Sequence, residues 1–139
     1  MLLLDTNVIS EPTAKRPDAR VMAWLAAQPS DTVFLSAITL GELRRGILLL
    51  DAGRKRRGLL GWLENEIKPA FAGRILAVDA AAMEKWAGLS AAAKKRGHDA
   101  RSFDLLIAAV ALVHDFTLAT RNTADFAATG VRLVNPWTA

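Results

Sequence analysis

Three acidic residues stand out by their setting: Asp5, Glu42 and Asp104. Asp5 opens the run Asp5-Thr6-Asn7 directly after the apolar Leu2-Leu3-Leu4, so a carboxylate, a hydroxyl and an amide sit together where a buried strand would end. The same residue types favour Asx turns and helix N-caps, and the tripeptide alone leaves that structural role open. Glu42 shares a helical face with Thr39 and Gly46 and could equally be an exposed partner of Arg45. Gly41 and Gly46 each cost a helix about 1 kcal/mol relative to Ala, which predicts a close approach at this point. Asp104 heads the stripe Asp104-Ile107-Ala108-Ala111, apolar in its other members. A helix N-terminus would favour a carboxylate there by about 0.3–1 kcal/mol, but an acid on a buried face also calls for a partner.

If folding gathers the three acids, their chemistry is that of a hard-cation site. Mg²⁺ takes oxygen ligands, keeps several waters and is typically held by one or two carboxylates plus a substrate phosphate; Mn²⁺ suits the same set. Carboxylates about 4 Å apart repel by about 4 kcal/mol per pair at an effective dielectric near 20, and a divalent ion reverses that sign. Water on such an ion is a better nucleophile, and the ion polarises a phosphoryl oxygen.

The elements that must position these residues alternate. Apolar runs at Leu2–Leu4, Val33–Leu35, Ile75–Val78, Thr117–Thr120 and Val131–Val134 predict strands buried on both faces. Helical spacing predicts helices over Ala19–Ala27, Ala37–Leu50, Lys55–Ile67, Ala80–Lys95 and Ser102–His114, with Ser36 as an N-cap. Alternating strands and helices imply an α/β fold with a mainly parallel sheet covered by helices, whose ligands collect beyond the carboxyl ends of the strands. Asp5, Ser36 and Thr120 all lie at such ends. Prolines fall between the periodic segments, and no repeat or linker divides the chain, so one domain over residues 1–139 is expected.

Composition removes other classes. The absence of Cys excludes thiolate zinc sites, thiol catalysis and a disulfide scaffold. The opening lacks the basic start and long apolar stretch of a signal peptide, and Leu105 to Val113 is far short of the roughly 20 residues that cross a bilayer. A cytoplasmic protein without membrane insertion is expected. The formal net charge of +4 and pI near 10.0 admit a polyanionic partner. Arg44, Arg45, Arg54, Lys55, Arg56, Arg57, Lys94, Lys95 and Arg96 supply cationic clusters, though such runs are most often solvated helix faces. Arg121, beside the proposed site, is the best single candidate for a substrate phosphate, against a structural ion pair. His98 and His114 lack metal-ligand spacing and read as surface or helix-end residues, while Trp24, Trp62 and Trp86 read as apolar fillers.

Taken in order, Leu2-Leu3-Leu4-Asp5-Thr6-Asn7, the run Ser36-Ala37-Ile38-Thr39-Leu40-Gly41-Glu42-Leu43-Arg44-Arg45-Gly46, Asp104-Leu105-Leu106-Ile107-Ala108-Ala109 and Ala119-Thr120-Arg121-Asn122-Thr123-Ala124-Asp125-Phe126 resemble the PIN-domain ribonucleases. More narrowly they resemble the VapC/FitB toxins of type II toxin–antitoxin pairs, along essentially the whole chain to Val134-Asn135-Pro136-Trp137. The resemblance implies a PIN-like three-layer α/β/α domain with a sheet of about five strands. It further implies Mg²⁺- or Mn²⁺-dependent hydrolysis of RNA phosphodiester bonds, a homodimer, and a cognate antitoxin that inserts a peptide near the active site. Operator DNA would be reached only through that antitoxin.

Residue by residue, Asp5, Glu42 and Asp104 fall on the family's metal-site acids, and Thr6, Asn7, Ser36 and Thr120 on its supporting polar positions. Many members carry a fourth acid just after the Thr-Arg pair, where this chain has Asn122. Asn coordinates through its carbonyl without bringing charge; Asp125 could substitute, against a competing role in turn or helix capping. The missing acid keeps open a non-catalytic PIN-fold binding module. An aspartyl-phosphate phosphatase is a further alternative, disfavoured because Asn7 stands where that chemistry wants a second acid.

Overall fold

Residues 1–98 and 102–139 are described by a computed structural model. The five apolar runs form one parallel sheet: β1 (Leu2–Leu4), β2 (Val33–Ser36), β3 (Ile75–Leu76), β4 (Thr117–Ala119) and β5 (Leu133–Val134), in the order β3-β2-β1-β4-β5. From β1 the chain builds outward through β2 and β3, then returns to the other side of β1 to place β4 and β5. Strand order therefore reverses at β1 and β4, and the crevice beyond their carboxyl ends is where such sheets hold ligands.

Side-chain alternation divides the interior into two cores. Leu3 and Leu118 point to one face, with Ile107, Ala108, Ala111, Phe126 and Val131. Leu4, Leu35 and Ala119 point to the other, with Val8, Val21, Leu43, Ile47 and Leu63. Successive strand residues facing opposite ways, each onto buried helix residues, make this the three-layer α/β/α arrangement the sequence implies.

The helices are α1 (Thr6–Ser10), α2 (Ala19–Ala27), α3 (Ala37–Leu48), α4 (Arg54–Trp62), α5 (Lys68–Ala70), α6 (Ala80–Lys95), α7 (Ser102–His114) and α8 (Thr123–Phe126). The spans expected for α2, α6 and α7 match to the residue, whereas α1 and α8 are short helices for which no span was expected. The helix expected over Lys55–Ile67 runs further, passing from α4 through a π turn at Leu63–Ile67 into α5. Pro69 has no N–H to donate to the carbonyl four residues back, and a widened turn just before it relieves that break. Among the described residues, no helix is long and apolar enough to cross a membrane.

Ser36 both ends β2 and caps α3, its hydroxyl accepting from the Thr39 N–H at 3.2 Å while fully buried. Ser36→Ala removes this cap and is expected to lower stability by about 1 kcal/mol, read as a shifted denaturation midpoint with an unchanged m-value.

Candidate active site

Register brings the site together. Leu4 lies opposite Ala119, which sets Asp5 beside Thr120; Leu3 lies opposite Phe34, which sets Ser36 level with Asp5 on the other side. Three neighbouring strand ends thus present a carboxylate and two hydroxyls. Asp5 is the N-cap of α1, its Oδ1 accepting from the Thr6 N–H at 2.8 Å. The structural and functional readings of Asp5-Thr6-Asn7 are therefore compatible, because Oδ2 remains to take the Thr120 hydroxyl at 2.8 Å and the Asn7 amide at 3.3 Å.

Only 5% of Asp5 is exposed, and burial raises its carboxyl above the ordinary Asp value. Donation from Thr120, Thr6 and Asn7 opposes that rise, and the Asp125 carboxylate adds to it. Of the two residues weighed for the fourth acidic position, Asp125 is thus electrostatically coupled to Asp5. Asn122 is exposed and occupies the cap position of α8 without a side-chain cap bond, its backbone N–H held by the Thr120 hydroxyl at 3.1 Å. Asp125 lies within the first turn of α8, not at its cap.

Glu42 is half-buried on α3 and its partner is Thr6, whose hydroxyl donates to Oε1 at 2.8 Å, rather than Arg45. The Thr6 hydroxyl also lies 3.4 Å from that of Thr39, which is itself 3.4 Å from Ser36 Oγ. Thr39 lies outside the expected site set, yet it joins the Ser36, Thr6 and Glu42 groups while fully buried. Its position one turn before Glu42 on the same helical face is the sequence signal for it.

Asp104 stands half-buried in the first turn of α7 and is not without a partner. Ile107, Ala108 and Ala111 below it are fully buried, as the stripe requires.

The expected closed cage of Asp5, Glu42 and Asp104 is not what the geometry shows. Among the described residues, no three His, Cys, Asp or Glu side chains are grouped closely enough to hold an ion. The physical reason is local satisfaction: Glu42 turns onto the Thr6 hydroxyl, and Asp5 onto one backbone and two side-chain donors. Hydroxyls and amides are better nearest neighbours for a carboxylate than another carboxylate. In kind, the carboxylate and hydroxyl oxygens suit a hard divalent cation, and burial penalises the ionised Asp5 that such an ion would favour.

The close packing expected at Gly41 and Gly46 is absent too. A Cβ at either position would meet nothing within 4 Å. Gly46 instead lines a groove of about 350 Å³ that runs from Thr6 and Glu42 past Ile47 to Lys55 and Trp62. Of the other cations, Arg44 is taken by Glu64 and Arg132 by Asp115. His98 and His114 are exposed, as expected of surface residues. Trp24 and Trp62 pack against one of the two cores and Trp137 is part of it.

The sequence matches the PIN domain over residues 2–131. It is 46% identical to VapC ribonuclease Y4jK of Sinorhizobium fredii over 137 residues, covering 99% of this chain and 98% of that protein. It is 47% identical to Toxin FitB of Neisseria gonorrhoeae over 137 residues, covering 99% of each. The structure of FitAB bound to an IR36 DNA fragment contains a chain 45% identical to this one, matched with a TM-score of 0.93 over 99% of this chain and 96% of that chain. Shared along its whole length with these proteins, in sequence and in backbone, the chain belongs to the PIN-domain family, in its VapC/FitB group.

Proposed function

We propose that this chain is the toxin of a toxin–antitoxin pair, a cytoplasmic endoribonuclease that hydrolyses RNA phosphodiester bonds with Mg²⁺ or Mn²⁺ and is inhibited by a cognate antitoxin. The observation that carries this reading is the buried Asp5 carboxylate at the strand-order reversal, with one backbone and two side-chain donors aimed at it. The names of the VapC ribonuclease and FitB relatives support the reaction class.

In this reading Asp5 and Asp104 are the main metal ligands, and Glu42, released from Thr6, completes the set or orients the attacking water. Asn122 or Asp125 supports a second ion, with Asp125 favoured by its coupling to Asp5. Thr6, Asn7, Ser36 and Thr120 fix the carboxylates, and Arg121 meets a substrate phosphate. When bound, the ion supplies an activated water and charge neutralisation at the phosphoryl group. The chain's own part is to hold Asp5 ionised through the Thr120, Thr6 and Asn7 donors, against the cost of burying it. The groove from Glu42 to Trp62 offers room for an antitoxin segment. A homodimer, with operator DNA met through the antitoxin, completes the proposal.

Purified protein is expected to cut an RNA pool with Mg²⁺ or Mn²⁺, to stop with EDTA, and to be silenced by the antitoxin. No metal-stimulated cleavage of any RNA would favour the non-catalytic binding module.

A further inference from the structure

Near the Asp5 site, Arg121 is held at three points. Its backbone N–H donates to Asn7 Oδ1 at 3.2 Å, its carbonyl accepts from Asn135 Nδ2 at 3.5 Å, and its guanidinium lies 5.0 Å from the centre of the Trp137 ring. Trp137 is itself buried, only 7% exposed, with its backbone N–H donating to Asn135 Oδ1 at 2.9 Å. Arg121 is exposed, and among the described residues no carboxylate lies within ion-pair distance of it. The contrast with Arg44, Arg74 and Arg132 is direct, since those guanidiniums are occupied by Glu64, by the carbonyls of Val33 and Ala70, and by Asp115.

A guanidinium over an aromatic face loses little hydration yet is confined in orientation, and its in-plane N–H fork stays open for a bidentate oxyanion. Asn7, which holds the Arg121 backbone, also donates to Asp5, so this fork is tied to the site's edge through one side chain. We propose that Trp137 is a positioning residue, its ring and the Asn135 amide holding Arg121 to grip a backbone phosphate of single-stranded RNA at the rim of the Asp5 site. This rests on the nuclease reading above.

Binding of a labelled mixed-sequence single-stranded RNA, followed by anisotropy across a salt series with EDTA present, tests the contact without any ion or cleavage. Arg121→Ala is expected to weaken binding about tenfold and to lower the salt slope by about 0.7, the value of one phosphate contact. Trp137→Leu keeps apolar volume but removes the π face; it should weaken binding about threefold, whereas Trp137→Phe should restore it. In the Arg121→Ala background, Trp137→Leu should add no further loss. A purely packing role would lower the melting temperature of Trp137→Leu and leave affinity and slope unchanged. That result, or equal further loss without Arg121, overturns the positioning role while leaving the nuclease reading intact. A wild-type chain with no salt-dependent RNA binding overturns the Arg121 contact as well, while the nuclease reading stands or falls on the metal-stimulated cleavage assay.

Discussion

Asp5→Asn is expected to abolish RNA cleavage while making the protein more stable at neutral pH. The loss should reach a thousandfold or more, because the substitution removes the buried negative charge on which ion binding depends, an effect on the order of 4 kcal/mol or greater. The gain in stability has an independent origin. Burial raises the Asp5 carboxyl above its unfolded value, so its stability contribution is full below about pH 4 and is lost as pH rises through the folded value. At neutral pH the ionised group therefore opposes folding, and the amide removes that penalty. Asn keeps an oxygen for the Thr6 N–H and the Thr120 hydroxyl can turn to accept; the long 3.3 Å bond from Asn7 is lost, a smaller cost than the burial of the charge. Melting temperatures of the two proteins should differ at pH 7 and converge below about pH 4. Lower stability of the variant at pH 7 would contradict the assignment of burial as the dominant effect on Asp5.

Thr120→Val is expected to impair activity without touching a metal ligand. The Thr120 hydroxyl is fully buried, donates to Asp5 Oδ2 and accepts the Asn122 N–H. Valine fills nearly the same volume but removes the shorter of the two donors to Asp5 Oδ2 and the acceptor of the Asn122 N–H, at a cost of about 1–3 kcal/mol in stability. Cleavage should fall about 10–100-fold, as it does when a partner that orients a ligand is lost. The sign of the pH effect is fixed: Thr120 holds the Asp5 pKa down, so without it the carboxyl titrates higher and the acidic limb of kcat/KM moves to higher pH. An unmoved limb would separate Thr120 from the chemistry.

Much of the frame was legible because burial writes itself into strands and long helices. Leu2–Leu4 is apolar at every position, and α7 carries the stripe below Asp104, so the strands, the long helices and the polar strand ends could be anticipated. The five-residue α1 is too short to show a period, and its first two residues are polar, so Asp5-Thr6-Asn7 reads equally as an Asx turn or a helix N-cap. Gly46 misleads because a glycine that opens a groove and one that admits a close neighbour look alike in sequence. Glu42 meets Thr6 across 36 positions, and Arg121 meets Trp137 across the sheet edge. Such pairings depend on strand register, which no local pattern encodes. The setting of Asp5 and Glu42 is visible in the sequence, whereas the Thr6 and Thr120 hydroxyls that meet them are not.

The central claim is that the Asp5 site takes a divalent cation. An anomalous difference map from crystals soaked in manganese tests it most directly. A peak within bonding distance of Asp5 and Asp104, with Glu42 turned away from Thr6, is the expected result. A map without density at Asp5, in crystals whose Glu42 still rests on Thr6, would contradict it.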